Sequence, residues 1–424
     1  MSKRPSPSAT VQAVMFIGAA LVMLGNYYVY DSIAPVAEQL SHDLGYSDTQ
    51  IGSLNAIYSL PNILLVLVGG VLVDRFSARA MVLGTTALCL VGAVLTAVGM
   101  HFPVMVTGRL LFGIGSETLS VAITVALAQW FTGRYFALLF ALNLSLARLG
   151  SYLADRSTTF ASDLYAQGWQ PPLWLAAAFA VVSFVGAIVY FYVDRREAPR
   201  GTLALPPPPE RFDWRHLLSF RMEYWLLVAV CVTFYSVIFP FRSTFAIKYL
   251  QEALGFTQQA AGTLNGNVFL AAVFATPAFG FLLDRFGRNT VMLAAGSMLL
   301  PLSFLVLGVM SGSGAGLSTA LLGVSFSFLP AVLWPTVVRY SPPEHLGTAY
   351  GLMTALQNLG LTAANVAAGY INDVNHASAA NPGGYTPMLW FFGLLSLTAF
   401  VCTLALWARD RGTPAAVSAA AAGH

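Results

Sequence analysis

The sequence predicts an all-α integral membrane protein of twelve transmembrane helices, arranged as two six-helix halves related by pseudo-symmetry. Three observations lead there. Hydrophobic residues make up 57% of the 424 and charged residues only 9%, where a soluble domain carries roughly 25% charged residues. Apolar segments of the ~20 residues needed to cross a bilayer recur along the whole chain. A shift of 210 residues, which carries Leu44-Gly45-Tyr46 onto Leu254-Gly255-Phe256, also aligns Gly52-Ser53-Leu54-Asn55 with Gly262-Thr263-Leu264-Asn265 and Asp74-Arg75-Phe76 with Asp284-Arg285-Phe286. The same shift brings Leu111-Phe112-Gly113 onto Leu321-Leu322-Gly323 and Leu149-Gly150 onto Leu359-Gly360. One offset serves all these matches, which sets them apart from chance likeness between apolar helices. A six-helix unit repeated in parallel is a transporter architecture, with the solute site near the midplane where the units meet.

In chain order, residues 1–10 form a polar tail, 11–194 the N-terminal half, 195–220 a polar, proline-rich linker, 221–411 the C-terminal half and 412–424 an alanine-rich tail. The first apolar run continues to about Pro35 with no small-residue cleavage site ahead of a soluble domain, so it is a span and not a signal peptide. The others centre near residues 62, 90, 117, 145, 182, 234, 270, 300, 327, 358 and 396. Pro330 and Trp334-Pro335 mark the tenth as broken or kinked. Sixteen of the 21 basic residues fall on the side of the termini, while Arg156 and Lys248 fall on the other. By the positive-inside rule both termini are cytoplasmic, as in a bacterial inner membrane. The net charge of +3 follows from this topology and implies no nucleic-acid partner. Cys89, Cys231 and Cys402 lie in apolar segments and the six histidines in loops or tails, so no disulfide framework, metal site or cofactor is expected. No loop gathers a nucleophile, a base and an oxyanion site, which argues against an enzyme.

Three arginines, Arg109, Arg148 and Arg242, remain inside spans. Glu117, in the glycine-rich run Gly113-Ile114-Gly115-Ser116-Glu117, lies near the middle of the fourth span, and Arg148 reaches a similar depth in the antiparallel fifth. Intramembrane charges are costly unless they face protein or a water-filled cavity, so both are functional candidates. They either line one cavity or neutralise each other as a buried ion pair. Asp31 and Arg242 fall near the outer ends of the pseudo-equivalent spans one and seven. They are read either as an outer gate pair or as separate solvated charges.

Gly280-Phe281-Leu282-Leu283-Asp284-Arg285-Phe286-Gly287-Arg288 and its first-half copy Gly70-Val71-Leu72-Val73-Asp74-Arg75 resemble the loop motif of the major facilitator superfamily. The resemblance covers essentially the whole ordered chain. It implies that Asp74, Arg75, Asp284, Arg285 and Arg288 act in gating, although Ser77-Ala78-Arg79 departs from the motif in the first copy. Tyr30-Asp31, the stretch from Gly108 to Ala122, Leu144 to Ser151, Phe239-Pro240-Phe241, Leu346 to Gly351 and Gln357-Asn358-Leu359-Gly360 are similar to a narrower group. That group is the lysosomal dipeptide transporter type (major facilitator superfamily domain-containing protein 1) and its bacterial relatives.

By this resemblance Glu117 holds the α-amino group of a peptide and Arg148 its carboxylate, a pairing suited to a zwitterion. Arg109 resembles a position associated with proton coupling, with hydrogen bonds to loop carbonyls as its structural alternative. Tyr27, Asn55, Tyr58, Tyr235, Asn265, Trp334, Gln357 and Asn358 sit on spans that line the superfamily's cavity. The expected function is secondary active or facilitative transport of small zwitterionic solutes, dipeptides first, by alternating access. The alternative is a proton-coupled importer of organic or inorganic anions of the carboxylate or nitrate type. Expected partners are the bilayer, the solute and, in a symporter, protons; a monomer is expected.

Overall fold

The computed structural model describes residues 8–65, 76–131, 133–197, 220–286, 289–342 and 345–411. Side chains at 133–137, 274, 276–278, 280–286, 289, 311 and 411 are outside the description. Residues 1–7, the C-terminal tail and nearly all of the expected linker therefore fall outside it, as do Asp74, Arg75 and Arg288; Asp284 and Arg285 are placed by their backbone alone.

The N-terminal half contains α1 (Ala9–Tyr30), a short α2 (Ala37–Leu44), α3 (Asp48–Ser59), α4 (Ala78–Val98), α5 (Phe102–Trp130), α6 (Gly133–Phe160) and α7 (Gln170–Glu197). The C-terminal half contains α8 (Met222–Pro240), a short α9 (Ala246–Glu252), α10 (Gln258–Phe286), α11 (Asn289–Tyr340), α12 (Leu346–Val374) and α13 (Thr386–Arg411). At 1.5 Å per residue a straight α11 of 52 residues would span far more than a bilayer. It doubles back instead. Ser303 Oγ meets Ser318 Oγ at 2.8 Å and Ser325 Oγ donates to Gly296 O at 2.9 Å, contacts only an antiparallel hairpin can make. With α11 counted as two and the pieces of eight residues or fewer set aside, the described residues hold twelve helices.

Of the two readings of the tenth span, the break is not seen: helix continues through Pro330 and Pro335 in the second arm of α11. Two hydroxyls donate to helix carbonyls beside these prolines, Thr336 Oγ1 to Val332 O at 2.6 Å and Tyr350 Oη to Trp334 O at 2.9 Å. The irregular turn lies elsewhere, directly after Pro240, where Phe241–Phe245 is π-helical. Such one-turn insertions recur at functional sites, and this one carries Arg242.

Among the described residues three apolar cores form, each drawn almost wholly from one half: one around Met15 to Tyr190 and a smaller one around Ile33 to Leu173 in the N-terminal half, and one around Phe220 to Leu406 in the C-terminal half. Large apolar side chains such as Val309, Trp390 and Leu64 remain more than half exposed, as lipid-facing surfaces require. Eight helical stretches are long and apolar enough to cross a membrane. Four helices do not qualify among the described residues: α3, α6, α10 and α12. Those four form the seams between halves, α3 on α12 and α6 on α10, where a polar face is sheltered from lipid.

Among the described residues, the hydrogen bonds between halves lie toward the face remote from the termini. Asp373 of α12 caps the start of α3, accepting from Asp48 N at 2.8 Å and Thr49 N at 2.9 Å, a favourable place for a carboxylate. Lys248, which the charge count places on the side remote from the termini, is 4% exposed and ion-paired to Asp48. Asn372 donates to the same Asp48 carboxylate at 2.8 Å. The remote face is thereby sealed in this structure.

Candidate substrate site

Glu117 lies midway along α5 and Arg148 midway along α6. Glycine brings the neighbours of Glu117 close. A Cβ on Gly113 would fall within 3.0 Å of the Tyr58 backbone, so only glycine lets α5 and α3 approach at this level. Tyr58 Oη then reaches Glu117 Oε1 at 3.3 Å and Ser116 Oγ at 3.0 Å, while Asn26 Nδ2 of α1 donates to Ser116 Oγ at 2.7 Å.

Arg148 is held by aromatic faces: its Cζ is 5.4 Å from the ring centroid of Tyr27, 5.5 Å from that of Phe269 and 4.8 Å from that of Phe326. Its Nη1 is buried without a hydrogen-bond partner. Among the described residues no ion pair joins Glu117 to Arg148, yet both line one cavity of about 200 Å³. The mutual-neutralisation alternative therefore does not describe this structure.

The rest of the lining is Asn26, Tyr27, Tyr30, Tyr58, Ser116, Tyr235, Phe239, Gln357, Asn358 and Leu361. Tyr27, Tyr58, Tyr235, Gln357 and Asn358 thus stand where the sequence reading placed them, while three other candidates do not line this cavity. Asn55, 2% exposed, is occupied by Arg109 Nη2 at 2.5 Å, Ser243 O at 2.9 Å and Thr244 Oγ1 at 2.7 Å. Asn265, 1% exposed, donates to Arg242 O at 3.1 Å. Trp334 stands one layer behind the wall, its indole N–H donating to Tyr235 Oη at 3.0 Å. All three are polar because helices meet there, which sequence spacing does not distinguish from lining a cavity. Asn26, Ser116, Tyr30, Phe239 and Leu361 were not singled out in the sequence. Ser116 adjoins Glu117, and that adjacency was the available signal.

Arg109 is 1% exposed and bonded to backbone: Nη1 donates to Val29 O at 3.1 Å, Nη2 to Tyr30 O at 3.1 Å and Nε to Leu54 O at 3.3 Å. It ties the C-terminal end of α1 to the middle of α3, a structural role played through helix carbonyls and not the loop carbonyls of the alternative given above.

Asp31 and Arg242 are in contact, Nη1 to Oδ1 at 2.5 Å. Neither is solvated at a headgroup: their side chains are 0% and 1% exposed. A third member, Asp155 of α6, pairs with Arg242 Nη2 and is equally buried. Asp155 was missed because it stands beside Arg156 at the end of a span, where charges are ordinarily solvated. Arg242 also lies over the ring of Phe269, Cζ 3.8 Å from the centroid. Phe269 therefore contacts both the arginine of the cavity and the arginine of the seal.

Comparison with known proteins adds the family frame. The sequence profile described as "Major Facilitator Superfamily" matches residues 15–245 and 241–424. The chain is 34% identical over 362 residues to the lysosomal dipeptide transporter MFSD1 of Danio rerio, covering 82% of this chain and 78% of that protein. It is 24% identical over 371 residues to the probable nitrate/nitrite transporter NarK2 of Mycobacterium tuberculosis, covering 82% and 86%. A mutant form of the nucleoside transporter NupG superposes with a TM-score of 0.75 at 13% identity, over 92% of this chain and 99% of that one. The last likeness concerns the fold.

Proposed function

Because this chain belongs to the major facilitator superfamily of membrane transporters, we propose that it moves small zwitterionic solutes, dipeptides foremost, by alternating access of its two halves. The observation that carries the reading is an anion and a cation facing one small cavity without pairing. Glu117 takes the substrate ammonium. Arg148, with its partnerless Nη1 and a planar fork, takes the carboxylate. Tyr235 accepts from the Trp334 indole, so its own hydroxyl hydrogen is free for a substrate oxygen. A cavity of about 200 Å³ is below the usual 300–1,000 Å³ range of pockets for drug-sized ligands, in keeping with a solute of one or two residues. The likeness to the dipeptide transporter MFSD1 supports the same class.

In this scheme the termini are cytoplasmic and the sealed remote face is the outer one, so the state described is closed to the outside. The Asp31–Arg242–Asp155 cluster is the outer gate and parts when the halves rock. The loop-motif charges Asp74, Arg75, Asp284, Arg285 and Arg288 serve the opposite face. Arg109 acts as a brace, with any part in proton coupling exerted through the end of α1 and the middle of α3 that it holds.

The test is uptake into proteoliposomes of a dipeptide panel against free amino acids and nitrate, with and without a pH gradient. Wild type is expected to take up dipeptides, and Glu117→Gln and Arg148→Ala each to lose at least tenfold, as removing a charge-assisted contact of about 1.5–3 kcal/mol demands. Nitrate entry with dipeptides neither entering nor competing would overturn the zwitterion reading in favour of an anion carrier centred on Arg148.

A further inference from the structure

We infer that Asn26 supplies a second hydrogen-bond acceptor for the substrate ammonium, beside Glu117; this rests on the zwitterion reading above. The directions of the hydrogen bonds carry it. An ionised carboxylate only accepts, so the Tyr58 hydroxyl, 3.3 Å from Glu117 Oε1, gives its single hydrogen there. Ser116 Oγ lies 3.0 Å from that hydroxyl. With the Tyr58 hydrogen committed, Ser116 must be the donor in that contact. The Ser116 oxygen is then left to accept, and it receives Asn26 Nδ2 at 2.7 Å.

Four side chains thus form one directed chain, Asn26 to Ser116 to Tyr58 to Glu117, whose polarity is set by the carboxylate. The amide at its head is oriented by the same logic. Nδ2 faces Ser116, and Oδ1 is left buried with no partner, in a residue that is 3% exposed and lines the cavity. A buried acceptor without a donor is unfavourable, and each such case in a folded protein calls for an explanation. An ammonium provides one, because it carries three N–H donors and a single carboxylate does not use them all. Reversing the amide would require Ser116 to donate to Asn26 and Tyr58 to Ser116. Glu117 would then lose its donor unless it were itself protonated, and a protonated Glu117 no longer pairs with an ammonium as a charge. The arrangement therefore suits an ionised Glu117 and an ammonium with at least two N–H donors, and it discriminates against N,N-dimethylated peptides that keep the charge but retain a single donor.

Binding to the purified full-length protein, followed by titration calorimetry, tests this with alanyl-alanine, N,N-dimethylalanyl-alanine and alanyl-alanine amide. In wild type, N,N-dimethylation, which leaves one donor for two acceptors, is expected to weaken binding about tenfold or more, the worth of a hydrogen bond to a charged group. In Asn26→Leu, which keeps the branched outline but no polar atom, alanyl-alanine should weaken by a similar factor and the N-methylation penalty should disappear. The penalty for amidating the carboxyl end should persist in that variant, showing that the Arg148 end is still formed. Asn26→Ala is expected to repeat the pattern with a smaller side chain. A purely steric penalty would instead vanish in Asn26→Ala with no loss of alanyl-alanine affinity, and would overturn the inference. So would wild-type affinity and wild-type discrimination against N,N-dimethylation in Asn26→Leu, in a protein whose binding still depends on Glu117 and Arg148. If wild type binds no dipeptide, or Glu117→Gln changes nothing, the zwitterion reading falls and this inference with it.

Discussion

Arg242 is one guanidinium between two carboxylates, all three side chains at most 1% exposed, and that stoichiometry governs how the cluster responds to change. Removing one partner of a buried pair leaves an uncompensated charge and typically costs about 3–5 kcal/mol. Arg242→Met strands both aspartates and is expected to lower thermal stability more than Asp31→Asn or Asp155→Asn, each of which leaves one pair intact; melting of the detergent-purified variants checks the order. The charge swap Asp31→Arg with Arg242→Asp should not restore transport by itself, because the new aspartate at 242 faces Asp155. Adding Asp155→Asn is expected to restore much of it. Full rescue by the double swap would show that Asp155 is not a true partner. Glu117 and Arg148 were legible in the sequence because depth along an apolar helix can be counted. Asn26 and Asp155 were not, since which face of a helix meets which neighbour is decided by packing. Asn26 in particular adjoins two tyrosines, and nothing in that run tells a cavity face from a seam.

The two seams are pseudo-symmetry mates down to single positions. Gly52 packs against the Asn365 backbone and Gly262 against the Asp155 backbone, and in each case a Cβ would fall closer than 3.0 Å to backbone. The 210-residue shift relates both members of one contact to those of the other. Backbone cannot yield as a flexible side chain does, so Gly52→Ala and Gly262→Ala should push the paired helices apart and disfavour the sealed remote face. The expected readout is faster labelling of a cysteine introduced at Ser243, with the transport rate changed; unchanged labelling would mean that the seams tolerate a methyl group. The glycines were visible in the repeat, although their role was not, because an aligned glycine marks close approach without naming the partner. The π-helical turn at Phe241–Phe245 left no comparable trace. Pro240 announces irregularity, but whether the chain kinks, breaks or inserts a residue depends on what Arg242 must reach.

At the scale of the whole molecule, the fold was the most legible part, since composition, span recurrence and one constant offset all report the same large-scale pattern. The relation between the halves was not, because it rests on a few contacts between distant segments. Phe269 of α10 is one of these, 5.5 Å from Arg148 Cζ and 3.8 Å from Arg242 Cζ. Two cations on one ring each weaken the other's hold on it, and a substrate carboxylate that engages Arg148 leaves the ring to Arg242. Substrate should therefore tighten the outer seal in wild type. In Phe269→Leu the seal should ignore the substrate while substrate still binds, which distance measurements across the remote face, with and without dipeptide, would show. Phe269 then does for this carrier what a load sensor does for a lift door. An empty cabin holds the door weakly and waits, a filled one draws it shut, and futile trips are suppressed by a single benzene ring.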